Sequence, residues 1–111
     1  MDSDALVRLQ QALVLDWQLE LVDGNEDDRE EALLGTLRDR IVHFLQSDMN
    51  GLLAAMYRLD IGERAFEAAM RQGSVEKIAE AMAVAVLERE KVRVENRRRS
   101  SGGAEGLELR D

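Results

Sequence analysis

Apolar side chains recur at intervals of three and four residues through most of this 111-residue chain. That spacing places them along one face of an α-helix, whereas a half-buried strand alternates apolar and polar positions. Small and polar residues that favour turns interrupt the pattern, as at residues 23–25 and 47–50. The sequence therefore predicts an all-α fold, a small bundle of about five helices with a flexible C-terminal tail.

The first predicted helix covers residues 4–22, and it is the segment in which two periodicities compete. Its main apolar stripe follows helical spacing, but apolar and polar residues also alternate over residues 13–21, as in a strand. The rest of the chain offers no strand to pair with it, so we favour a helix. A strand here would pair with its own copy in a dimer. On a helix, Leu15 and Leu19 project from the face opposite the stripe.

The second predicted helix begins within an acidic segment. Residues 20–31 contain seven acidic side chains and one arginine, a local net charge of −6. Carboxylates in the first turn of a helix are stabilised by its dipole, so we expect a helix from this segment to about Gln46. A Ca²⁺ loop is the alternative interpretation, but the alternating ligands and closing glutamate of an EF-hand are absent.

Residues that favour caps and turns divide the remainder of the chain into three further helices. Residues 47–50 include a serine, an aspartate and an asparagine, which mark a break before a third helix. Asp60 followed by Glu63 resembles a capping box, with Asp60 as the N-cap of a short fourth helix. Gly73 is predicted to end that helix.

The last predicted helix is capped by Ser74 and carries an apolar stripe that ends in Arg89 and Val92. Because the stripe changes from small apolar residues to arginine and valine, its later turns are expected to project beyond the core. A segment rich in glycine and serine follows. We therefore predict one helical domain at residues 1–95 and a disordered tail at residues 96–111.

The composition excludes most catalytic and metal chemistry. The absence of cysteine excludes disulfides, thiolate metal sites and a cysteine nucleophile, and a single histidine excludes a multi-histidine site. No phosphate-binding loop, dinucleotide-binding turn or nucleophile elbow is present. We therefore predict a protein that is not an enzyme and needs no cofactor. The remaining alternative is a metal site built from His43, Asp39 and carboxylates of another helix or subunit.

The net charge of −8 argues against extended contact with nucleic acid or anionic membranes. No apolar run approaches the roughly 18–20 residues that cross a bilayer. The first residues are acidic, where a signal peptide would be basic. We therefore expect a soluble cytoplasmic protein with no membrane partner.

Surplus apolar side chains favour a protein partner. Leu15, Leu19 and Val42 lie outside the main apolar stripes of their predicted helices. Side chains of this kind are what a second copy or a partner helix covers. We therefore predict a function in protein–protein interaction, as a homodimer, an adaptor or a small subunit.

The alternative is association with nucleic acid through the arginine-rich end of the last helix. Residues 89–99 hold six basic and two acidic side chains, a net charge of +4. The candidate phosphate contacts are Arg93, Arg97, Arg98 and Arg99. However, no aromatic residue is interleaved to stack on bases, and basic residues also suit a helix C-terminus or pairing with the acidic segment. The protein partner is therefore preferred.

Residues 48–61 have the sequence Asp-Met-Asn-Gly-Leu-Leu-Ala-Ala-Met-Tyr-Arg-Leu-Asp-Ile. This segment resembles a family of short bacterial helical proteins that share an aspartate, paired leucines and a Tyr-Arg-Leu/Ile-Asp-Ile/Val motif. In that family a last helix ends in an acidic-basic run similar to residues 87–91. The resemblance covers about residues 40–93. It implies a helical fold and no particular function, because the family has no assigned activity.

Overall fold

The computed structural model describes residues 3–19 and 26–107, with side chains at residues 4–19, 29–97 and 99. Five helices occupy nearly all of this part of the chain, and it contains no strand. The all-α prediction is therefore confirmed. The helices are α1 (Ser3–Trp17), α2 (Glu26–Ser47), α3 (Met49–Arg58), α4 (Glu63–Met70) and α5 (Val75–Leu107).

Helix α5 is the centre of the bundle. It packs against α1, α2 and α4, and α2 also contacts α1 and α3. The apolar stripes predicted from the sequence meet along these contacts, and their removal from water is the main driving force for folding. The largest core side chains include Leu9, Leu13 and Trp17 of α1, Leu33, Leu37 and Ile41 of α2, and Met82 and Val86 of α5.

The C-terminal turn of α1 changes the position predicted for Leu19. The helix ends at Trp17, and Gln18 adopts a positive φ of 57° that reverses the chain. The Gln18 N–H donates to the Val14 carbonyl at 2.9 Å. Residues 13–17 are therefore helical, not a strand. Because the helix stops two residues before it, Leu19 folds back into the core and is 6% exposed instead of projecting outward.

The loop predicted at residues 23–25 lies outside the described residues. Helix α2 begins at Glu26, within the acidic segment as predicted, and ends at Ser47, one residue beyond the expected end. The predicted break follows at once, because the Asp48 side chain accepts a hydrogen bond from the Gly51 N–H at 3.0 Å and caps α3.

The capping box predicted at Asp60 is wrong, because this residue ends α3 and does not begin α4. The Asp60 N–H donates to the Tyr57 carbonyl at 3.0 Å, and the Ile61 N–H donates to the Met56 carbonyl at 3.1 Å. These paired bonds form a Schellman motif, in which Asp60 takes the left-handed position with a φ of 59°. Gly62 is the N-cap of α4 and makes no side-chain cap bond.

The connection between α4 and α5 is as predicted. Gly73 has a φ of 97°, a conformation that glycine adopts without steric cost, and it follows the end of α4. The Ser74 hydroxyl accepts a hydrogen bond from the Lys77 N–H at 3.2 Å and caps α5. Glycine and serine therefore separate the two helices in the way that the sequence indicates.

The buried face of α5 differs from its predicted stripe. Val92, predicted to lie on the stripe, is 46% exposed, whereas Glu90 and Val94 are buried. The backbone of α5 is helical to Leu107, and the disordered tail at residues 96–111 stays a prediction. Residues 108–111 lie outside the described chain, so the predicted domain boundary at residue 95 stays a prediction.

Helix α5 has 33 residues, which is long enough in principle to cross a bilayer. Length alone does not suffice, because charged side chains recur along it. Among the residues that the structure describes, no helix combines the length and the apolar composition that a membrane crossing requires.

Candidate functional site

A buried cluster of charged side chains joins α1 to α5. Glu90 of α5 is 0% exposed. Nη1 of Arg93 lies 3.4 Å from Oε1 of Glu90 and 3.4 Å from Oδ2 of Asp16, which belongs to α1. A carboxyl group is rarely buried without a partner, because its desolvation is costly. Arg93 supplies that partner and links the two helices.

Burial raises the pKa of Glu90 from its ordinary value of 4.5 to about 8. Burial is the largest cause of this value. The hydrogen bond to Asp16 and the negative charge of Asp16 also raise the pKa, and Arg93 and Arg97 lower it. Glu90 is therefore protonated at neutral pH and donates this bond to the Asp16 carboxylate. The acid pair shares one negative charge, which Arg93 balances.

Two neighbouring cavities open beside this acid pair. Their volumes are about 260 Å³ and 270 Å³, and Asp16, Ala55 and Arg58 line both. Arg40 lines the first cavity and Arg93 lines the second. We call the two together the arginine cleft. It presents three guanidinium groups in a chain whose net charge is −8.

Arg40 is held in the wall of the cleft by neutral groups. Its Nε donates to the Trp17 carbonyl at 3.1 Å, and its Nη2 donates to Oε1 of Gln18 at 3.0 Å. The guanidinium carbon lies 4.8 Å from the centroid of the Phe44 ring, within the range of a cation–π contact. The Trp17 ring packs edge-to-face against Phe44 with centroids 5.9 Å apart. Arg40 thus satisfies a carbonyl at the C-terminus of α1, which the helix itself leaves without a partner.

Arg58 is exposed and lines both cavities. It makes no hydrogen bond or ion pair with any described residue. Arg89 offers a contrast, because its Nε donates to the Leu59 carbonyl at 2.8 Å and its Nη2 lies 3.9 Å from Oδ2 of Asp60. The charge of Arg58 is therefore available to a ligand, whereas Arg89 binds the C-terminal end of α3.

A second concave surface, the α1–α5 groove, lies on the outer side of α1. Its volume is about 430 Å³. Val7 and Leu15 project from α1 at this surface and are 42% and 80% exposed. The groove thus has apolar walls and a charged rim, and its full lining is Asp4, Val7, Arg8, Gln11, Ala12, Leu15, Val94 and Arg97.

The three predicted interface residues do not lie together on the surface. Leu15 is exposed, but Leu19 belongs to the core and Val42 is partly buried against it. Leu19 and Val42 were expected on outer faces because the helices were extrapolated from sequence spacing alone. Of the three, Leu15 is the residue that a partner can reach.

The four arginines predicted to contact nucleic acid differ in their surroundings. Arg93 is paired with Asp16 and Glu90, and Arg97 lines the α1–α5 groove. Arg99 is exposed, and the side chain of Arg98 lies outside the described residues. The four therefore do not form a patch of equally available charges.

Lys91 makes the pairing between the basic helix end and the acidic segment that the sequence offers as an alternative. Its ammonium group contacts Oε2 of Glu30 and also Oε2 of Glu88, the latter at 3.4 Å. Partial burial lowers the pKa of Lys91, but the hydrogen bonds and charges of these two glutamates more than offset this effect and raise it. The charge of Lys91 is thus neutralised by acidic side chains of the same chain.

His43 is exposed and makes no contact with Asp39. Its Nε2 lies 3.3 Å from the Ser47 hydroxyl, and Asp39 lies near Arg38 instead, at 3.6 Å. Among the described side chains, no three histidine or carboxylate groups lie close enough together to hold a metal ion. The described geometry therefore gives the His43 metal site no support.

No protein-family model, no curated protein and no solved structure matches this chain. The resemblance of residues 48–61 to a bacterial family consequently stays a prediction.

The acid pair and the arginine cleft are not among the features predicted from the sequence. Glu90 lies four residues from Val86 and four from Val94, both of which are buried. A helix repeats every 3.6 residues, so this spacing places the carboxyl group on the apolar face. That signal was available in the sequence. The approach of Asp16 and Arg58 to the same place was not, because they belong to different helices.

Proposed function

We propose that this protein works through protein–protein contact, and that it self-associates through the α1–α5 groove and the adjacent Leu15. One observation supports this most strongly: Leu15 is 80% exposed and projects beside a groove whose walls include Ala12 and Val94. A projecting apolar side chain and a groove on the same surface suit a twofold interface, in which each copy's Leu15 enters the groove of the other.

The charges on the rim of the groove support the same arrangement. Asp4 and Arg8 lie on α1 and form an ion pair at 3.2 Å, while Arg97 lies on α5. When the α1 wall of one copy faces the α5 wall of the other, Asp4 meets the side that carries Arg97. Complementary rim charges of this kind set the orientation of an interface more than its affinity.

The oligomeric state in solution tests the proposal. We expect the wild-type protein to sediment as a dimer that dissociates on dilution, and Leu15→Asp to sediment as a monomer, because an aspartate buried without a partner is costly. The matched control is Tyr57→Asp, which changes an 87% exposed side chain on α3 and should leave the dimer intact. Circular dichroism should show that both variants keep the helical content of the wild type.

Two results would contradict the proposal. A wild-type protein that stays monomeric at high concentration would exclude self-association. A dimer that persists in Leu15→Asp would exclude this surface. Nucleic-acid binding stays the alternative prediction, although the pairing of Arg93 does not favour it. Binding of an oligonucleotide that weakens steeply with salt, and is lost when residues 96–111 are deleted, would support that alternative.

A further inference from the structure

We propose that the arginine cleft binds a small molecule bearing a carboxylate or phosphate group, with Arg58 as its main anchor. The site is separate from the α1–α5 groove and does not depend on self-association. The shared chemistry of the two ligand classes is an oxyanion that a guanidinium can hold with two parallel hydrogen bonds.

The described lining of the cleft has more guanidinium groups than carboxylates: Arg40, Arg58 and Arg93 against Asp16 and Asp48. Arg58 has no acidic partner among the described residues, and both hydrogen bonds of Arg40 go to neutral oxygens. Other surface arginines of the protein, such as Arg8 and Arg71, pair with an acidic residue one helical turn away.

The carboxylates that line the cleft are already engaged. Asp16 lies 3.4 Å from Nη1 of Arg93. Oδ1 of Asp48 accepts the hydrogen bond from the Gly51 N–H that caps α3. Asp16 balances Arg93, and the Asp48 carboxylate balances one further guanidinium. The three arginines therefore leave an excess of one positive charge, which favours an anion.

The uncharged residues that line the cleft indicate the size and the apolar surface of the ligand. Trp17, Phe44, Ala54 and Ala55 line the cavity of about 260 Å³, next to the cavity of about 270 Å³. Pockets for drug-sized ligands begin near 300 Å³, so each cavity suits a molecule of only a few heavy atoms. A short aliphatic acid or a small phosphate monoester combines the charge and the apolar surface that these walls complement.

The only tryptophan of the chain provides a direct readout, because Trp17 lines the cleft. Tryptophan fluorescence is followed while inorganic phosphate or butyrate is added, with ionic strength held constant by sodium chloride. We expect a saturable change with at least one probe. The melting temperature should rise over the same concentration range, because a ligand that binds the folded state stabilises it.

Substitution of Arg58 separates a specific site from general ionic effects. Arg58→Gln should fold normally, since the side chain makes no hydrogen bond or ion pair with described residues. It should weaken binding roughly tenfold or more, as expected for a lost charged hydrogen bond. The matched control is Arg64→Gln, an exposed arginine of α4 outside the cleft, which should bind like the wild type.

The two probes also distinguish the ligand classes. Saturation with phosphate alone indicates a phosphate ester, saturation with butyrate alone indicates a carboxylic acid, and saturation with both supports the shared oxyanion site. The proposal is overturned if neither probe saturates in fluorescence or in melting temperature. It is equally overturned if Arg58→Gln binds as tightly as the wild type.

Discussion

Glu90 shows how one residue can couple two helices through a proton. Its carboxyl group is 0% exposed and forms a hydrogen bond with Asp16, while Arg93 lies 3.4 Å from both carboxyl groups. A buried polar group is tolerated when it has hydrogen-bond or charge partners. Removing one partner destabilises the folded state, because the desolvation of the remaining group is no longer compensated. The contact between α1 and α5 therefore depends on the protonation state of this pair.

The stability of the protein should fall as pH rises from about 4.5 to 8, the ordinary and shifted pKa values of Glu90. In this window the folded chain keeps a proton on Glu90 that the unfolded chain has released, so rising pH favours unfolding by up to about 1.4 kcal/mol per pH unit. Glu90→Gln retains a donor toward Asp16 and should flatten the dependence. Urea unfolding at pH 5, 6.5 and 8 measures it.

The control for this prediction is Glu67→Gln, which changes an exposed carboxylate on α4. It should retain the pH dependence of the wild type. Equal slopes for wild type, Glu90→Gln and Glu67→Gln would mean that Glu90 does not hold its proton in the folded state.

Substitution by alanine should change the stability of the fold in opposite directions at two helical glycines, Gly51 and Gly35. A Cβ at Gly51 would lie 2.9 Å from Cγ of Asp48 and 3.0 Å from Cε1 of Phe44, so the capping aspartate would have to move. We expect Gly51→Ala to destabilise the fold by about 1–2 kcal/mol. Gly35→Ala meets no atom within 4 Å and should stabilise it by up to about 1 kcal/mol, through helix propensity. Chemical denaturation of both variants checks the signs, and a stabilised Gly51→Ala would contradict the close packing.

At the level of the helices, arginines from neighbouring helices complete two C-termini. Arg40 of α2 donates to the Trp17 carbonyl at the end of α1, and Arg89 of α5 donates to the Leu59 carbonyl after α3. The last carbonyls of a helix have no partner within the helix. Each arginine therefore both satisfies a helix end and holds it against the helix from which the arginine comes.

Arg89→Met should test this role, because methionine keeps an apolar stem and removes the donors. We expect a loss of about 1–3 kcal/mol, the cost of leaving a partly buried carbonyl without its charged donor. Arg64→Met, at an exposed position of α4, should change stability by no more than a few tenths of a kcal/mol. Thermal or urea unfolding compares the two, and equal losses would show that the bond to Leu59 contributes nothing.

The helices were predictable to different degrees. Ser74 is predicted as the N-cap of α5 and Gly73 as the residue that ends α4, and both predictions are confirmed. Asp60 was not, because aspartate suits an N-cap and also tolerates the left-handed position at a helix C-terminus. Which use applies depends on whether α3 stops before Asp60, and that is settled by packing and by Arg89 together.

On the scale of the whole molecule, the bundle is thin and elongated. Its extents are 48 × 34 × 20 Å, and a helix with its side chains is about 10–12 Å across, so the structure is about two helices thick. The radius of gyration is 15.1 Å, against about 13 Å expected for a compact domain of this length. A thin bundle leaves one side of α1 uncovered, and this is the side where Val7 and Leu15 project.

The sequence by itself determined the helical class, the division into five helices and most of their ends, because these depend on spacing and capping within a few residues. Only the tertiary structure decided that Leu19 is core, that Glu90 is buried beside Asp16, and that Arg40, Arg58 and Arg93 line one cleft. The physical reason is one of range. Periodicity reports which face of a helix is apolar, but the meeting of charges from separate helices depends on how those faces pack in three dimensions.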